Sequence, residues 1–596
     1  MLHLHVQDRV HAALLAVLPA LSPSVLATVL VRPAPDSKFG DLQCNALMSV
    51  AKVQSLNPRQ LATQVVAQLD LTDVCTSVEV AGAGFLNFRL QPAAIAHVIA
   101  AAAEGQHLFF ATANLPRTVV IDFSSPNVAK PMHVGHIRST GIGDALQRTF
   151  RLLGHRVITD NHIGDWGTQF GKLLLGWQRH RDEAALVADP IAELERLYRE
   201  INAACDADPT ILEAARQELV KLQQGDAANL KVWQEMIRLS QVQFDAVYGR
   251  LGIHFDYTLG ESFYNPQLGE VVTDLLKQGV ARESAGAVAV FSERSAALAP
   301  KDDPLLVQKD GEWVDAPALI RKSDGGFNYT TTDLGTLAYR LQTWAPNEIL
   351  YIVDDRQAGH FRSLFHVFNR WQPGATNSTR LRHIGFGKIL GEDGKPFKTR
   401  SGATIKLSDL LDEAVERALL VVVNKRPELP VAQQREIARI VGLGAVKWQD
   451  LLPNRESDYQ FSWDKMLALQ GNTSVYVQYQ YTRAAKVLRD SGVTGSVASR
   501  GVTLELIEPA ELMLAKHFLK FGVTLEKVVE ECRPNFLSNY LYELATQFSR
   551  FYDQCPVLKP EIVGVTRMTR LVLCDLTAKV LREGLECLGI EVSETM

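Results

Sequence analysis

Residues 118–121, Thr-Val-Val-Ile, form a β-branched run that reads as a strand, and a long helical pattern starts at Ile137. Between them lies Ser124-Ser125-Pro126-Asn127-Val128-Ala129-Lys130-Pro131-Met132-His133-Val134-Gly135-His136. Two histidines three apart, with a glycine between, therefore sit where a strand turns into a helix. The first backbone N–H groups of a helix lack internal partners, and the helix dipole favours negative charge there. Imidazoles add donors, and Gly135 has no side chain to keep a flat ring off the backbone. The corner suits a phosphate, and it commits this part of the chain to an α/β fold. A solvated helix start with incidental histidines is the bland alternative.

The surrounding pattern supplies the rest of that fold. Val157-Ile158-Thr159-Asp160 reads as a second strand, and residues 181–250 are helical and charged. Val288-Ala289-Val290-Phe291 reads as a strand and Asp302-Asp303-Pro304 as a turn. Strand–helix alternation returns with Ile320-Arg321-Lys322, Tyr329-Thr330-Thr331 and Ile349-Leu350-Tyr351-Ile352-Val353. This order predicts an α/β, Rossmann-like parallel sheet interrupted by a helical insertion. Before it, helices near 8–31, 41–54 and 58–69, strands at 78–80 and 85–88, and an Ala-rich helix from Pro92 predict a small N-terminal α+β domain. Beyond about 400 the pattern is almost wholly helical. The expected divisions are 1–110, 111–180 (first half of the Rossmann domain), 181–318 (helical insertion), 319–400 (second half), 401–465 (helical stem) and 466–596 (all-α).

Two further stretches carry chemistry. Gly391-Glu392-Asp393-Gly394-Lys395-Pro396-Phe397-Lys398-Thr399-Arg400-Ser401-Gly402 places three cations on a short glycine-bounded loop, suited to closing over a triphosphate. A solvated basic turn is the competing reading. Tyr329-Thr330-Thr331-Thr332-Asp333 and Asp354-Asp355-Arg356-Gln357-Ala358-Gly359-His360 fall at expected carboxyl ends of strands, where open α/β sheets bind ligands. Helix N-capping is the readier role for an Asp in Thr-Thr-Asp, and it can coexist with ligand binding at Asp333.

Together with Asp160-Asn161-His162-Ile163-Gly164-Asp165-Trp166-Gly167-Thr168-Gln169-Phe170-Gly171, these motifs resemble those of the arginyl-tRNA synthetases, over essentially the whole chain. His-x-Gly-His alone would indicate only the wider class I group. The resemblance implies a ligase that converts ATP and L-arginine to arginyl-adenylate and pyrophosphate, then moves the arginyl group to the terminal adenosine of tRNA(Arg). It implies that Lys130, His133, His136, Lys398 and Arg400 are catalytic. ATP would meet Val134, Gly135, His136, His360 and Lys398, carrying Mg2+ on its phosphates with no dedicated protein metal site. Arginine would be bound by Asp122, Ser125, Asn127, His133, Glu261, Tyr329, Asp333 and Gln357. Asp122 stands where relatives often carry Glu. Phe397-Lys398-Thr399-Arg400-Ser401 replaces the lysine-methionine-serine-lysine-serine loop of most class I enzymes, and Lys130 is the family's compensating cation.

The resemblance also makes the C-terminal domain an anticodon-binding domain. Tyr476, Tyr479 and Arg483 share one helix face and, with Met596, would contact tRNA; a core aromatic stripe is the bland reading. Phe85 and Asn87 are the tRNA-binding candidates of the N-terminal domain. Another class I synthetase, or an inactive tRNA-binding relative, is the alternative reading. Composition agrees with a globular protein, 46% hydrophobic and 22% charged with net charge −5, so any nucleic-acid contact is local rather than a general basic coat. Seven cysteines without a C-x-x-C pair suggest reduced thiols, and no secretory signal or 18-residue apolar run is seen. A cytoplasmic monomer with no membrane partner is expected.

Overall fold

The computed structural model describes residues 1–295, 298–391, 393–395, 397, 405–492 and 503–596. They form two compact units, one of residues 114–416 and 449–463, the other of 1–113, 417–448 and 464–596.

The first unit is built on a four-stranded parallel sheet in the order Arg380–His383, Glu348–Tyr351, Thr118–Asp122, Arg156–Asp160. One crossover leaves Thr118–Asp122 through helix His136–Leu152 in one direction. The other leaves Glu348–Tyr351 through helix Ala358–Trp371 in the opposite direction. The two central strands thus flank a switch point, and the crevice beyond their carboxyl ends is the expected ligand site. Tyr351, Asp122 and Asp160 lie in register at that edge. One sheet face packs Val120, Ile158 and Ile349 against Leu334, Leu337 and Trp344 of helix Tyr329–Trp344. On the other, Phe123 fits against Gly143, where a Cβ would come within 2.2 Å of its ring. Helices between Gln169 and Leu251 supply the insertion.

Ile320-Arg321-Lys322 does not rejoin the parallel sheet. Ala318–Arg321 pairs antiparallel with Ala287–Val290, which also pairs with Arg282–Ser284, in a separate three-stranded sheet. Tyr329-Thr330-Thr331 is no strand either; it opens the helix, with the Thr331 hydroxyl donating to the Ile320 carbonyl.

In the second unit the N-terminal segment carries a four-stranded antiparallel sheet, in the order Arg32–Pro33, Leu42–Cys44, Phe85–Leu90, Cys75–Ala81. The helix expected near 8–31 runs only over Leu2–Val17, since Pro19 disfavours helical geometry at Leu18, which sits at φ −127°, ψ 75°. The helix expected at 41–54 shrinks to Leu47–Val53, because residues 42–44 pair as a strand. Gly40, at φ 102°, lets the chain pass where a Cβ would lie 2.6 Å from the Phe88 carbonyl oxygen. Helices Ser474–Asp490, Pro509–Phe518, Phe521–Glu531, Asn535–Gln554 and Gly564–Cys587 complete the unit. No described helix is long and apolar enough to cross a membrane.

Candidate active site

The loop after Asp122 is held in a strained shape. Ser124, Ser125 and Ala129 have φ of 72°, 48° and 62°, a region costly for residues with a Cβ. A hydrogen-bond lattice imposes it. Ser124 N donates to Ser139 Oγ (2.8 Å), Ser125 N to Asn161 Oδ1 (3.1 Å) and Ala129 N to Ser240 Oγ (2.9 Å). Asn161 Nδ2 donates in turn to the Tyr248 hydroxyl (3.1 Å), and Asn127 bridges to Gly164. The lattice keeps the polar side chains of 125–130 in one pose at the switch point.

Helix His136–Leu152 follows, with Gly135 at its N-cap. His133 N donates to His136 Nδ1 (3.0 Å), and Gly135 N to His133 Nδ1 (3.1 Å). The His133 Nδ1 accepts, which puts that neutral ring's proton on Nε2, while His136 Nδ1 faces both the His133 N–H at 3.0 Å and the His133 carbonyl oxygen at 3.2 Å, so its tautomer selects the partner. Burial lowers the His133 pKa, and burial with the neighbouring imidazole pushes His136 down to about 4. Two neutral rings, centroids 4.0 Å apart, thus offer N–H donors beside the helix N-terminus. A Cβ on Gly135 would lie 2.9 Å from His133 Cε1, so glycine keeps that ring in place. Val134 is buried, and its N–H donates to the Ile405 carbonyl (3.0 Å). His133 also bridges to Lys406. Lys398 and Arg400 lie outside the described residues. The segments bracketing them are anchored: Ile389–Leu390 pairs with Tyr459–Gln460, and 405–407 with 132–134.

Arg138, two residues into the helix, ties it down from below. Its guanidinium lies 3.3 Å from Asp450, with both side chains 1% exposed, and donates to the Ser457 carbonyl (3.1 Å).

A second wall is acidic. His360 Nε2 is 2.6 Å from Asp333 Oδ2, and its ring meets Tyr329 edge-on at 4.8 Å. Asp333 lies inside its helix; Asn328 occupies the N-cap position, so the capping role is not the one Asp333 fills. His360, expected at ATP, has its Nε2 committed to Asp333. Glu261 is within electrostatic reach of Asp333, Asp165 and His162, and burial pushes its carboxyl up to about 7. Asn127, Glu261, Trp166, Lys172 and Tyr198 line one open cleft of about 270 Å³. The Lys130 ammonium lies 5.3 Å over the Tyr198 ring. Gln357 is exposed at the start of helix Ala358–Trp371, which carries His360.

Asp122 stands apart from the exposed candidates. It is 4% exposed, and its carboxylate accepts from Ser125 Oγ (3.0 Å) and Arg340 Nη2 (2.7 Å). Arg340, Asp160, Tyr198 and Lys172 were not legible as site residues. Of these only Asp160 belongs to a motif, and strand register was needed to bring it beside Asp122.

In the second unit, Tyr479 and Met596 line one cavity of about 400 Å³ with Lys425, Arg426 and Leu469. Arg426 Nη1 donates to the Met596 carbonyl. Arg483 lies 3.8 Å over the Tyr552 ring, and Tyr476 is half-buried against Tyr542 at 5.8 Å. Phe85 is half-buried. Asn87 is buried, with Oδ1 accepting from Gln43 Nε2 (2.8 Å), which makes it a sheet-stabilising residue in this structure.

Three family models tile the chain: arginyl tRNA synthetase N terminal domain over 4–90, tRNA synthetases class I (R), catalytic domain over 97–463, and DALR anticodon binding domain over 477–596. An arginine–tRNA ligase of Chromobacterium violaceum is 44% identical across the full length of both chains. The chain belongs to the arginine–tRNA ligase family. One from a Synechococcus strain is 43% identical over 99% of each chain. The Plasmodium falciparum arginyl-tRNA synthetase superposes with a TM-score of 0.80 at 27% identity, covering 100% of this chain and 99% of that one. The fold class read from the sequence is that of this family: a class I parallel-sheet catalytic domain, an added N-terminal domain and a helical anticodon-binding domain. Class I members use ATP.

Proposed function

We propose that this chain joins L-arginine to tRNA(Arg) in two steps at the crevice beyond Asp122 and Tyr351. One observation carries the reading: a helix N-terminus with two neutral imidazoles and a carboxylate wall meet the same strand-to-helix loop at the sheet's switch point. The first end suits a nucleotide phosphate. The second suits a guanidinium, whose planar fork needs fixed acceptors.

In the first step a carboxylate oxygen of arginine bonds to the α-phosphorus of ATP, and the bond to pyrophosphate breaks. The arginine carboxylate is already anionic at neutral pH, so no base is needed. The work is positioning and charge neutralisation. His133 and His136 donate to phosphate oxygens, Gly135 leaves the backbone open to adenine beside the buried Val134, and Lys130, Lys398 and Arg400 offset charge on the leaving pyrophosphate. ATP arrives with Mg2+ on its phosphates. Asp333, Glu261 and Tyr329 hold the guanidinium, with His360 fixing Asp333. Ser125, Asn127, Gln357 and the Asp122 carboxylate hold the other end. In the second step a ribose hydroxyl oxygen of the terminal adenosine attacks the arginyl carbonyl; AMP leaves and the hydroxyl proton is lost. Tyr479, Met596, Arg483 and Tyr476 offer stacking surfaces for unpaired bases. The protein works as a cytoplasmic monomer.

Asp333→Asn tests the substrate assignment. It keeps the shape but removes the charge, and arginine KM is expected to rise by about 10²-fold with ATP KM within about twofold. Equal effects on both constants contradict it. Glu261 adds a pH signature. Its carboxyl titrates near neutrality, and only the ionised form attracts a guanidinium. Arginine KM should fall as pH rises from about 6 to about 8, and Glu261→Gln should flatten that slope. A slope unchanged in the variant would remove Glu261 from the subsite. Lys130→Ala is expected to slow single-turnover adenylate formation by about tenfold or more without changing the arginine Kd. Unaltered activation kinetics would assign Lys130 to the surface.

A further inference from the structure

Helix Tyr329–Trp344 carries Tyr329, Asp333, Thr336 and Arg340 at spacings of four, three and four, on one face. Asp333 looks out into the acidic wall. Arg340, two turns further, is 0% exposed beneath the sheet edge. A single nitrogen, Nη2, lies 2.7 Å from Asp122 Oδ2 and 2.7 Å from Asp160 Oδ2. Those carboxylates end two adjacent strands and are register partners. Asp160 is itself 0% exposed, with Oδ1 accepting from Leu259 N at 3.2 Å. Arg340 also sits 5.3 Å from the Tyr351 ring on the next strand.

Two buried carboxylates side by side, without a cation, cannot both stay ionised and fixed. The cation here comes from the helix that also presents Asp333. Asp122 keeps its second oxygen toward Ser125 Oγ at 3.0 Å, and Ser125 opens the loop leading to Asn127 and the cleft. We infer that Arg340 is a positioning residue for arginine binding: by bridging Asp122 to Asp160 it holds the Asp122 carboxylate in one pose toward the substrate's α-ammonium. This rests on the arginine subsite proposed above. One helix then sets both ends of the substrate site, the guanidinium end through Asp333 and the ammonium end through Arg340. Asp122 gains a defined pose from the bridge, with one oxygen taken by Arg340 and the other left at the loop.

The test is steady-state ATP–pyrophosphate exchange with the full chain, with tRNA present, comparing wild type, Arg340→Met, Arg340→Lys and the double variant Arg340→Met/Asp160→Asn. Arg340→Met is expected to raise arginine KM about tenfold, with kcat and ATP KM within about threefold. Arg340→Lys, which keeps the charge but cannot span both carboxylates as the guanidinium does, should leave a rise of about threefold in arginine KM. The double variant removes the repelling neighbour and should recover at least half of the lost arginine affinity on a logarithmic scale. A merely structural arginine would show parallel changes in both KM values, and a second core substitution would worsen them; that pattern, or an unchanged arginine KM, overturns the inference. If Arg340→Met does not fold, Arg340→Lys decides: a rise in arginine KM of about threefold with ATP KM unchanged supports it, and no change or equal changes overturn it. Asp333→Asn run in parallel separates the two failures. If Asp333→Asn leaves arginine KM unchanged, the subsite itself is misplaced; if it raises KM and the Arg340 variants do not, only the bridge role falls.

Discussion

His136→Ala is expected to cut ATP–pyrophosphate exchange by about 10²- to 10³-fold, the loss typical of removing one preorganised donor from a developing phosphate charge. The structure gives two reasons for so large an effect. The imidazole donor disappears, and so does the Nδ1 contact with the His133 backbone N–H at 3.0 Å. The second loss loosens the corner that orients the remaining imidazole. The change should appear in kcat, with arginine KM nearly unaltered, because no described contact links His136 to the acidic wall. Circular dichroism should remain that of the wild type, since the ring sits at the helix end rather than in the core. A loss of less than about threefold would mean that the phosphates of ATP lie elsewhere.

Asp450→Ala is expected to destabilise the catalytic unit by about 3–5 kcal/mol, because it strands the Arg138 guanidinium as an uncompensated buried charge. Both side chains are 1% exposed, and Asp450 also accepts from the Tyr459 hydroxyl at 3.1 Å. Arg138 stands two residues from His136, so this buried pair roots the helix that carries the His133–His136 corner. Denaturant unfolding followed by tryptophan fluorescence would measure the cost. A change below about 1 kcal/mol would show that the helix is fixed by packing and that the ion pair contributes little. Replacing both partners with apolar residues should be far milder than removing either one, as desolvation of both charges is then avoided.

The parts of this site legible in the sequence are those that one short segment carries. The His133–His136 corner needs only a strand before it and a helix after it, and both show as local patterns. Asp333 and Gln357 were legible as strand-end polar residues, yet the strand assigned to 329–331 is a helix start. There the β-branched Thr330 and Thr331 suggested a strand, while Leu334 and Leu337 packing against the sheet settled the helical period. Residues 320–322 look like a parallel-sheet strand by composition, but pairing partners decide sheet membership, and Val288–Val290 is antiparallel to them. The Arg340 bridge was invisible for a related reason. It joins residues 180 and 218 positions apart, and only the register of two strands brings their carboxylates to one nitrogen. Asn87 is a tRNA candidate only through the resemblance; that it is buried, with Oδ1 accepting from Gln43 on the neighbouring strand, depends on a pairing that no single segment reveals.

Lysine would fit the acidic wall poorly, since one ammonium cannot satisfy two fixed acceptors as a planar fork can, and citrulline lacks the charge. Aminoacylation of total tRNA with radiolabelled arginine, lysine or citrulline therefore tests the central claim most directly. The account predicts ATP-dependent arginylation, with lysine and citrulline at background. Charging of lysine or citrulline at a rate comparable to arginine, or no charging with arginine in the presence of ATP and Mg2+, would contradict it.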